Sequence, residues 1–226
     1  MRAWYAAPRG MILAGAMAFA SLAPVSLVPG VASPAAAAPA VSASDPTGVV
    51  NSLNSSLLAV MQNAQKLGYK GRYAALEPIV RQIFDVSYMT RIAVGSGWST
   101  LSAEQQAQLT DAFRRFITAT YARRFDGYSG EKFVTDGAKP MGAEALVATR
   151  LIKSDGEPVV LNYLTRQDEA QDGHWQVIDI YLTGTISELA TRRSEFAAVF
   201  RRSGYDGLLQ ALEQKVSQIE TDSHVS

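Results

Sequence analysis

The spacing of apolar residues changes twice along the chain. From about residue 48 to 125 they recur every three or four positions, which predicts amphipathic helices, the longest over residues 103–125. The period then becomes two, which predicts strands at 131–136, 144–153, 157–166 and 174–182. Helical spacing returns near residue 185 and is divided by Gly204. Helices that flank an antiparallel meander predict an α+β fold with a four-stranded sheet.

The predicted strands do not alternate cleanly between apolar and polar residues. In the third, Leu161 and Tyr163 face one way while Val160 and Leu164 face the other. An antiparallel sheet with one face in water alternates more strictly. Both faces are therefore expected to be covered, one by helices and the other by more helix, by a partner or by the lining of a hydrophobic cavity.

The beginning of the chain has the layout of a secretory signal. Arg2 and Arg9 precede an uncharged apolar run from Met11 to Val28, and small residues follow up to Ala40. No Arg-Arg pair precedes the run, so export by a Sec-type route is expected rather than a twin-arginine route.

Four segments follow from this layout. They are a cleaved signal peptide at 1–40, a disordered linker at 41–47, a single domain at 48–220 and a disordered tail at 221–226. No later segment approaches the roughly 20 continuous apolar residues that span a bilayer. The mature protein is therefore expected to be soluble and to reside in the periplasm.

Composition disfavours several classes of function. The chain has no cysteine and two histidines, which are too few ligands for a transition-metal site. Loss of Arg2 and Arg9 with the signal leaves 19 of the 21 basic residues against 21 acidic ones, which disfavours nucleic-acid binding. No serine lies in a nucleophile-elbow pattern and no glycine loop fits a phosphate. We expect no metal, no cofactor and no enzymatic activity.

Asp179 lies among apolar residues in the fourth predicted strand. A buried carboxylate requires a charged or hydrogen-bonding partner. Arg193 follows after a turn and could fold back onto the strand, so a structural ion pair between Asp179 and Arg193 is the first expectation. The alternative is that Asp179 acts as a general base in the cone-shaped pocket of an isomerase-like enzyme.

Large apolar side chains are frequent in both the helices and the strands. Such residues belong most often to the core, but the set is also rich enough to line a lipid pocket. The candidates for lining that pocket are Phe84, Trp98, Leu109, Phe113, Phe116, Tyr163, Trp175 and Val177.

Several of these residues recur in motifs that extend over residues 48–215. The motifs are Phe84-Asp85, Gly95 with Trp98 and Leu101, the long helix with Phe113, Phe116 and Tyr121, then Tyr163, the strand Trp175–Asp179, Gly184, Ser187, Arg193-Ser194, Phe196, Gly204 and Leu208-Leu209. In order and spacing they resemble the MlaC family of periplasmic lipid-binding proteins, once described as toluene-tolerance or ABC-transporter auxiliary proteins. Thr191-Arg192 stands where the phospholipid carriers usually have Asn-Tyr. The run 186–196 instead resembles the hopanoid-associated branch, HpnM.

The resemblance implies a curved antiparallel sheet wrapped by helices, of NTF2-like or cystatin-like appearance, that encloses an apolar cavity for lipid tails. It implies a carrier without catalytic residues that binds a hopanoid or a phospholipid as ligand. It also implies exchange with an RND-type or ABC-type membrane lipid transport complex, and we expect a monomer. A periplasmic adaptor that docks to such a complex without carrying lipid is the alternative, and an isomerase-like enzyme is a third.

Overall fold

The structure, a computed structural model, describes residues 44–168 and 173–224. The predicted signal peptide and residues 41–43 of the predicted linker lie outside the described residues. The helices are α1 Pro46–Gln62, α2 Ala64–Ile83, α3 Val86–Val94, α4 Ala103–Arg124 and α5 Glu188–His224, with a 3-10 segment at Gly95–Thr100 between α3 and α4. The strands are β1 Lys132–Met141, β2 Glu144–Ile152, β3 Pro158–Asp168, β4 His174–Leu182 and β5 Ile186–Ser187.

The strands form one antiparallel meander in the order β1-β2-β3-β4-β5. β5 is a fifth strand that the sequence did not predict, because two residues are too few to establish a period. Register shifts between Thr135 and Gly137, and between Leu164 and Thr165, interrupt the ladders. Such bulges bend a sheet and increase its twist. The predicted α+β class with a curved antiparallel sheet is confirmed.

One face of the sheet, called the inner face below, is packed against helices. Its central residues are Ala145, Val147, Thr149 and Leu151 of β2 and Leu161, Tyr163 and Thr165 of β3, all of them buried. α1 crosses this face and contacts β1 to β4. On the opposite face Val160 and Leu164 are only half-buried. Burial therefore alternates along β2 and β3 more regularly than residue type does.

The two ends of the described domain are more ordered than predicted. α1 begins at Pro46, and the Asp45 carboxylate accepts a hydrogen bond from the amide of Gly48 at 2.8 Å. α5 consists of two helices joined at Gly204, as predicted, and its second helix runs through His224. The expected disorder of residues 221–224 is therefore wrong. The Oδ2 of Asp222 lies 3.4 Å from the Nη1 of Arg123 on α4, and this ion pair helps to hold the end of α5.

Arg72 is buried where α2 meets the C-terminal end of α4. Its Nε donates to the carbonyl of Ala122 at 2.8 Å, and its Nη1 donates to the carbonyl of Ala64 at 3.2 Å. The Ala122 carbonyl belongs to the last turn of α4, where no intrahelical donor is available. Since α2 bends at Gly68, the Arg72 side chain joins both sides of the bend to α4.

Replacement of Arg72 by methionine is expected to lower the free energy of unfolding by about 2–3 kcal/mol, because it leaves buried carbonyls without donors. Urea denaturation followed by circular dichroism measures this loss. Arg81→Met is the matched control, since Arg81 is exposed and pairs with Glu77 of its own helix. That change is expected to cost less than about 0.5 kcal/mol. Equal losses in the two variants would contradict the role given to Arg72.

Candidate lipid-binding site

The structure buries most of the predicted pocket residues. Phe84, Leu109, Phe113, Phe116, Tyr163 and Val177 are buried, whereas Trp98 and Trp175 are half-buried. Trp98 lies in the 3-10 segment, and its carbonyl accepts from the Gln106 side chain of α4 at 3.1 Å. Trp175 lies near the start of β4, opposite Gln167 of β3. The two tryptophans therefore stand at the edge of the interior and the other six within it.

Three of the predicted residues meet where the helices approach the sheet. Phe84 follows α2 and pairs with Val177 of β4 through an isolated parallel bridge. The chain continues into α3 through Asp85, whose amide donates to the Val177 carbonyl at 3.0 Å. Phe84 also contacts Tyr121 of α4 edge to face, with ring centroids 5.7 Å apart. The phenol of Tyr121 also lies near the phenol of Tyr163 on β3.

Two other predicted residues belong to a separate aromatic cluster between α4 and α5. The rings of Phe113 and Phe116 both contact Phe196 of α5 edge to face, at 5.7 and 5.8 Å between centroids. Offset and edge-to-face contacts of this kind stabilise a core beyond the area they bury. The predicted set is therefore divided: one part lies at the inner face of the sheet, and the other fixes α5 on α4.

Tyr121 and Tyr163 place two hydroxyl groups inside the apolar interior. They lie near each other, and burial raises the pKa of both phenols well above the usual value. Both side chains are therefore neutral at any physiological pH. The sequence placed Tyr121 on the apolar stripe of α4 but gave no sign of this pairing, because the partner lies 42 positions away on another element.

Asp179 is a cap for helix α5. Its Oδ1 accepts from the amides of Ile180 at 2.7 Å and Leu189 at 2.9 Å, and its Oδ2 accepts from the Ser187 hydroxyl at 2.5 Å. The Ser187 Oγ in turn accepts from the amide of Ala190 at 2.8 Å. The free N–H groups at the start of α5 are thus bound by two side chains, one from β4 and one from β5.

The predicted ion pair between Asp179 and Arg193 is wrong. Arg193 is exposed, while all three donors to Asp179 come from residues 180, 187 and 189. Helix N-termini carry a partial positive charge, so the first turn of α5 supplies the compensation that an arginine was expected to give. The same contacts account for the buried carboxylate without the isomerase-like alternative. The neighbouring Arg192 binds Glu188 at 3.1 Å and lies over the Phe116 ring.

The predicted pocket is closed in this structure. Apolar side chains fill the interface between the inner face and the helices, where Val147, Val177 and Leu53 are fully buried. A groove of about 300 Å³ lies elsewhere, between α4 and the second helix of α5. It is lined by Ala112, Arg115, Glu213, Val216 and Ser217. An apolar ligand would therefore enter the interior only if a helix moved.

Within residues 44–168 and 173–224 no group of three or more acidic, histidine or cysteine side chains could hold a metal ion. The helices of these same residues include none that is long and apolar enough to cross a membrane.

Fold and interior together define an α+β protein organised around an apolar sheet–helix interface. The chain belongs to the MlaC family, since the family described as "MlaC protein" matches residues 51–214. The predicted family is thereby confirmed. The narrower resemblance to the HpnM branch stays a prediction.

Two relatives illustrate the family. The chain is 25% identical over 165 residues to the intermembrane phospholipid transport system binding protein MlaC of Haemophilus influenzae, a match that covers 70% of this chain and 76% of the relative. It is also similar to the structure of a phospholipid-binding protein from Ralstonia solanacearum in complex with a phospholipid. There the TM-score is 0.66 at 26% identity, and the match covers 78% of this chain and 99% of the other.

Proposed function

We propose that this protein is a periplasmic carrier that shields a membrane lipid between the inner face of its sheet and its helices. The observation that carries the proposal is the apolar interior at this interface, in a fold shared with a structure that holds a phospholipid. Family membership supports it. The lipid would be bound as ligand, without a cofactor, and the protein would act as a monomer.

Shielding is the physical need that such a carrier meets. Each CH₂ group of a lipid chain costs about 0.8 kcal/mol when it is exposed to water, so a lipid crosses an aqueous space slowly unless a protein covers its chains. In the closed structure the apolar side chains cover one another. A bound lipid chain would replace these contacts with contacts of the same kind. The lipid would therefore offset the free energy that is lost when the interior opens.

Helix α1 is the element that we expect to move. It contacts the inner face through apolar residues such as Leu53 and Leu57, and the Thr135 hydroxyl of β1 donates to Asn51 at 2.7 Å. By contrast, the capping contacts of Asp179 anchor α5 to β4. Apolar contacts have no fixed geometry, so α1 could separate from the sheet and close again with less loss than α5.

Two observations bear on the identity of the lipid and of the partner complex, and they favour different lipids. The two relatives bear phospholipid names, which favour a phospholipid. The name of the first includes a transport system, which favours a membrane transport complex, and the family resemblance suggests that this complex is of the ABC type. The run Ile186–Phe196 resembles the hopanoid-associated branch, which favours a hopanoid and an RND-type transporter. We propose the phospholipid as first ligand and the hopanoid as second.

Extraction of lipid from vesicles tests the carrier. Protein freed of lipid by denaturation and refolding is mixed with phosphatidylglycerol vesicles, in parallel with vesicles that contain a hopanoid polyol, and is then separated by size. About one lipid per protein chain is expected in the protein fraction from one of the two mixtures. Folded protein that takes up neither lipid would refute the carrier and favour the docking adaptor.

A further inference from the structure

The interface between α1 and the sheet contains polar atoms that have no partner. Asn54 of α1 is buried, with 4% of its surface exposed, and neither its Oδ1 nor its Nδ2 has a hydrogen-bond partner in the part of the chain that the structure describes. The hydroxyl of Thr149 on β2, with 1% exposure, lacks a partner within the same described residues. A buried polar group without a partner costs about 1–3 kcal/mol, so native proteins rarely keep one without reason.

The geometry places these two residues at the same part of the interface. Thr149 lies directly opposite Thr135 in the β1–β2 ladder, so the two side chains project from the same face. The Thr135 hydroxyl binds Asn51 of α1 at 2.7 Å. Asn54 follows Asn51 by three residues, which is nearly one helical turn. The amide of Asn54 and the hydroxyl of Thr149 therefore lie on facing surfaces of α1 and the inner face.

A neighbouring threonine shows that the lack of a partner is not general at this face. Thr165 of β3 is also fully buried, but its hydroxyl donates to the carbonyl of Ala145 at 2.9 Å. Gln176 of β4 also has a buried oxygen without a partner among the described residues, but its Nε2 donates to the Gln82 carbonyl at 3.4 Å. Within those residues, no polar side-chain atom of Asn54 or Thr149 is bonded.

We propose that Asn54 and Thr149 form a binding site for an uncharged polar group of the carried lipid. The pair offers one amide donor, one carbonyl acceptor and one hydroxyl, and both side chains are uncharged. Such a set matches an ester carbonyl or a hydroxyl and gives no compensation for a buried phosphate charge. The ester carbonyls of a phospholipid and the hydroxyls of a hopanoid polyol share this chemistry. This inference rests on the proposed carrier function.

The test uses Asn54→Leu and Thr149→Val, separately and together, in the full mature chain. Each change removes the unpartnered groups and nearly keeps the volume. Without lipid, the variants are expected to unfold at the same temperature as the wild type or higher, since no hydrogen bond is lost. Affinity for ester-linked phosphatidylglycerol is expected to fall about tenfold in the double variant.

Two comparisons make the result specific. Thr165→Val is the matched control: it removes a bonded hydroxyl from the same face, so the unfolding temperature should fall by about 2–4 °C. Ether-linked phosphatidylglycerol, which lacks the ester carbonyls, tests whether these carbonyls are the groups that the site binds. The wild type should bind the ether-linked lipid more weakly than the ester-linked lipid. The double variant should bind both with the same affinity. If the hopanoid polyol is the ligand, the double variant loses affinity for that lipid instead.

The failures of the two proposals are distinguishable. If wild-type protein binds none of the three lipids, the carrier function fails. If it binds lipid and the double variant binds equally well, only the polar site is refuted. Variants that unfold at lower temperature and keep full affinity would show that the two side chains stabilise the fold, for example through buried water, and that result would also overturn the inference.

Discussion

Replacing Asp179 by alanine is expected to lower the free energy of unfolding by about 3 kcal/mol. The change leaves the amides of Ile180 and Leu189 and the hydroxyl of Ser187 without their acceptor at a buried helix start. Urea denaturation of the mature protein measures the loss. A change below about 1 kcal/mol would contradict the capping role.

Asp179→Asn is the matched control for this prediction. The Oδ1 of the asparagine still accepts hydrogen bonds from both backbone amides, and its Nδ2 donates to the Ser187 oxygen. Most of the free energy of unfolding should therefore remain. Burial raises the pKa of Asp179, against the opposing effect of its hydrogen bonds to Ser187, Leu189 and Ile180. The folded state therefore holds this proton more tightly than the unfolded state.

The raised pKa of Asp179 gives the pH dependence a definite sign. As pH rises from the unfolded pKa of about 3.9 through the raised folded pKa, the contribution of this group to stability decreases. Asp179→Asn lacks that decrease. Relative to wild type, the asparagine variant should therefore gain stability as pH rises through this window. A relative loss over the same window would refute the assigned shift.

A disulfide that ties α1 to the sheet is expected to slow lipid uptake from vesicles by at least about tenfold. The pair Asn51→Cys and Thr135→Cys replaces side chains whose oxygens lie 2.7 Å apart across that interface. The natural chain has no cysteine, so no other pairing competes. If lipid enters by separation of α1 from the inner face, oxidation blocks entry and reduction restores it.

A second disulfide serves as control for the first. Gly97→Cys with Phe200→Cys ties the 3-10 segment to α5, where the Phe200 ring lies directly against Gly97. This lock leaves the contact between α1 and the sheet free, so uptake is expected to stay within about twofold of the reduced protein. Slowing by the second lock alone would show that α5, not α1, opens the interior.

Much of the architecture was predictable because it depends on local patterns. The change of apolar period from about 3.6 to two separated helices from strands, and Ser102 with Gln105 forms the capping box that starts α4. Gly204, whose φ of 64° is accessible mainly to glycine, divides α5 where the sequence indicated. These features follow from residues that are close together in the chain.

The features that the sequence did not predict depend on partners distant in the chain or on backbone groups. Asp179 was expected to pair with Arg193, yet backbone amides at a helix start compensate the charge of its carboxylate. Side-chain patterns in the sequence do not show such amides. No sequence pattern marked Asn54, whose amide is buried beside the apolar residues of α1. Phe196 was recognised as part of a motif, although its contacts with Phe113 and Phe116 required the packing of two helices.

Mass spectrometry of organic extracts tests the central claim most directly. The protein is purified from the periplasm of its own host without detergent, and the lipid is quantified against the protein. We expect about one lipid per chain, and the identity of that lipid decides between the phospholipid and the hopanoid. Well-folded protein that yields no lipid under these conditions would contradict the account and would leave the chain as an adaptor with an apolar core.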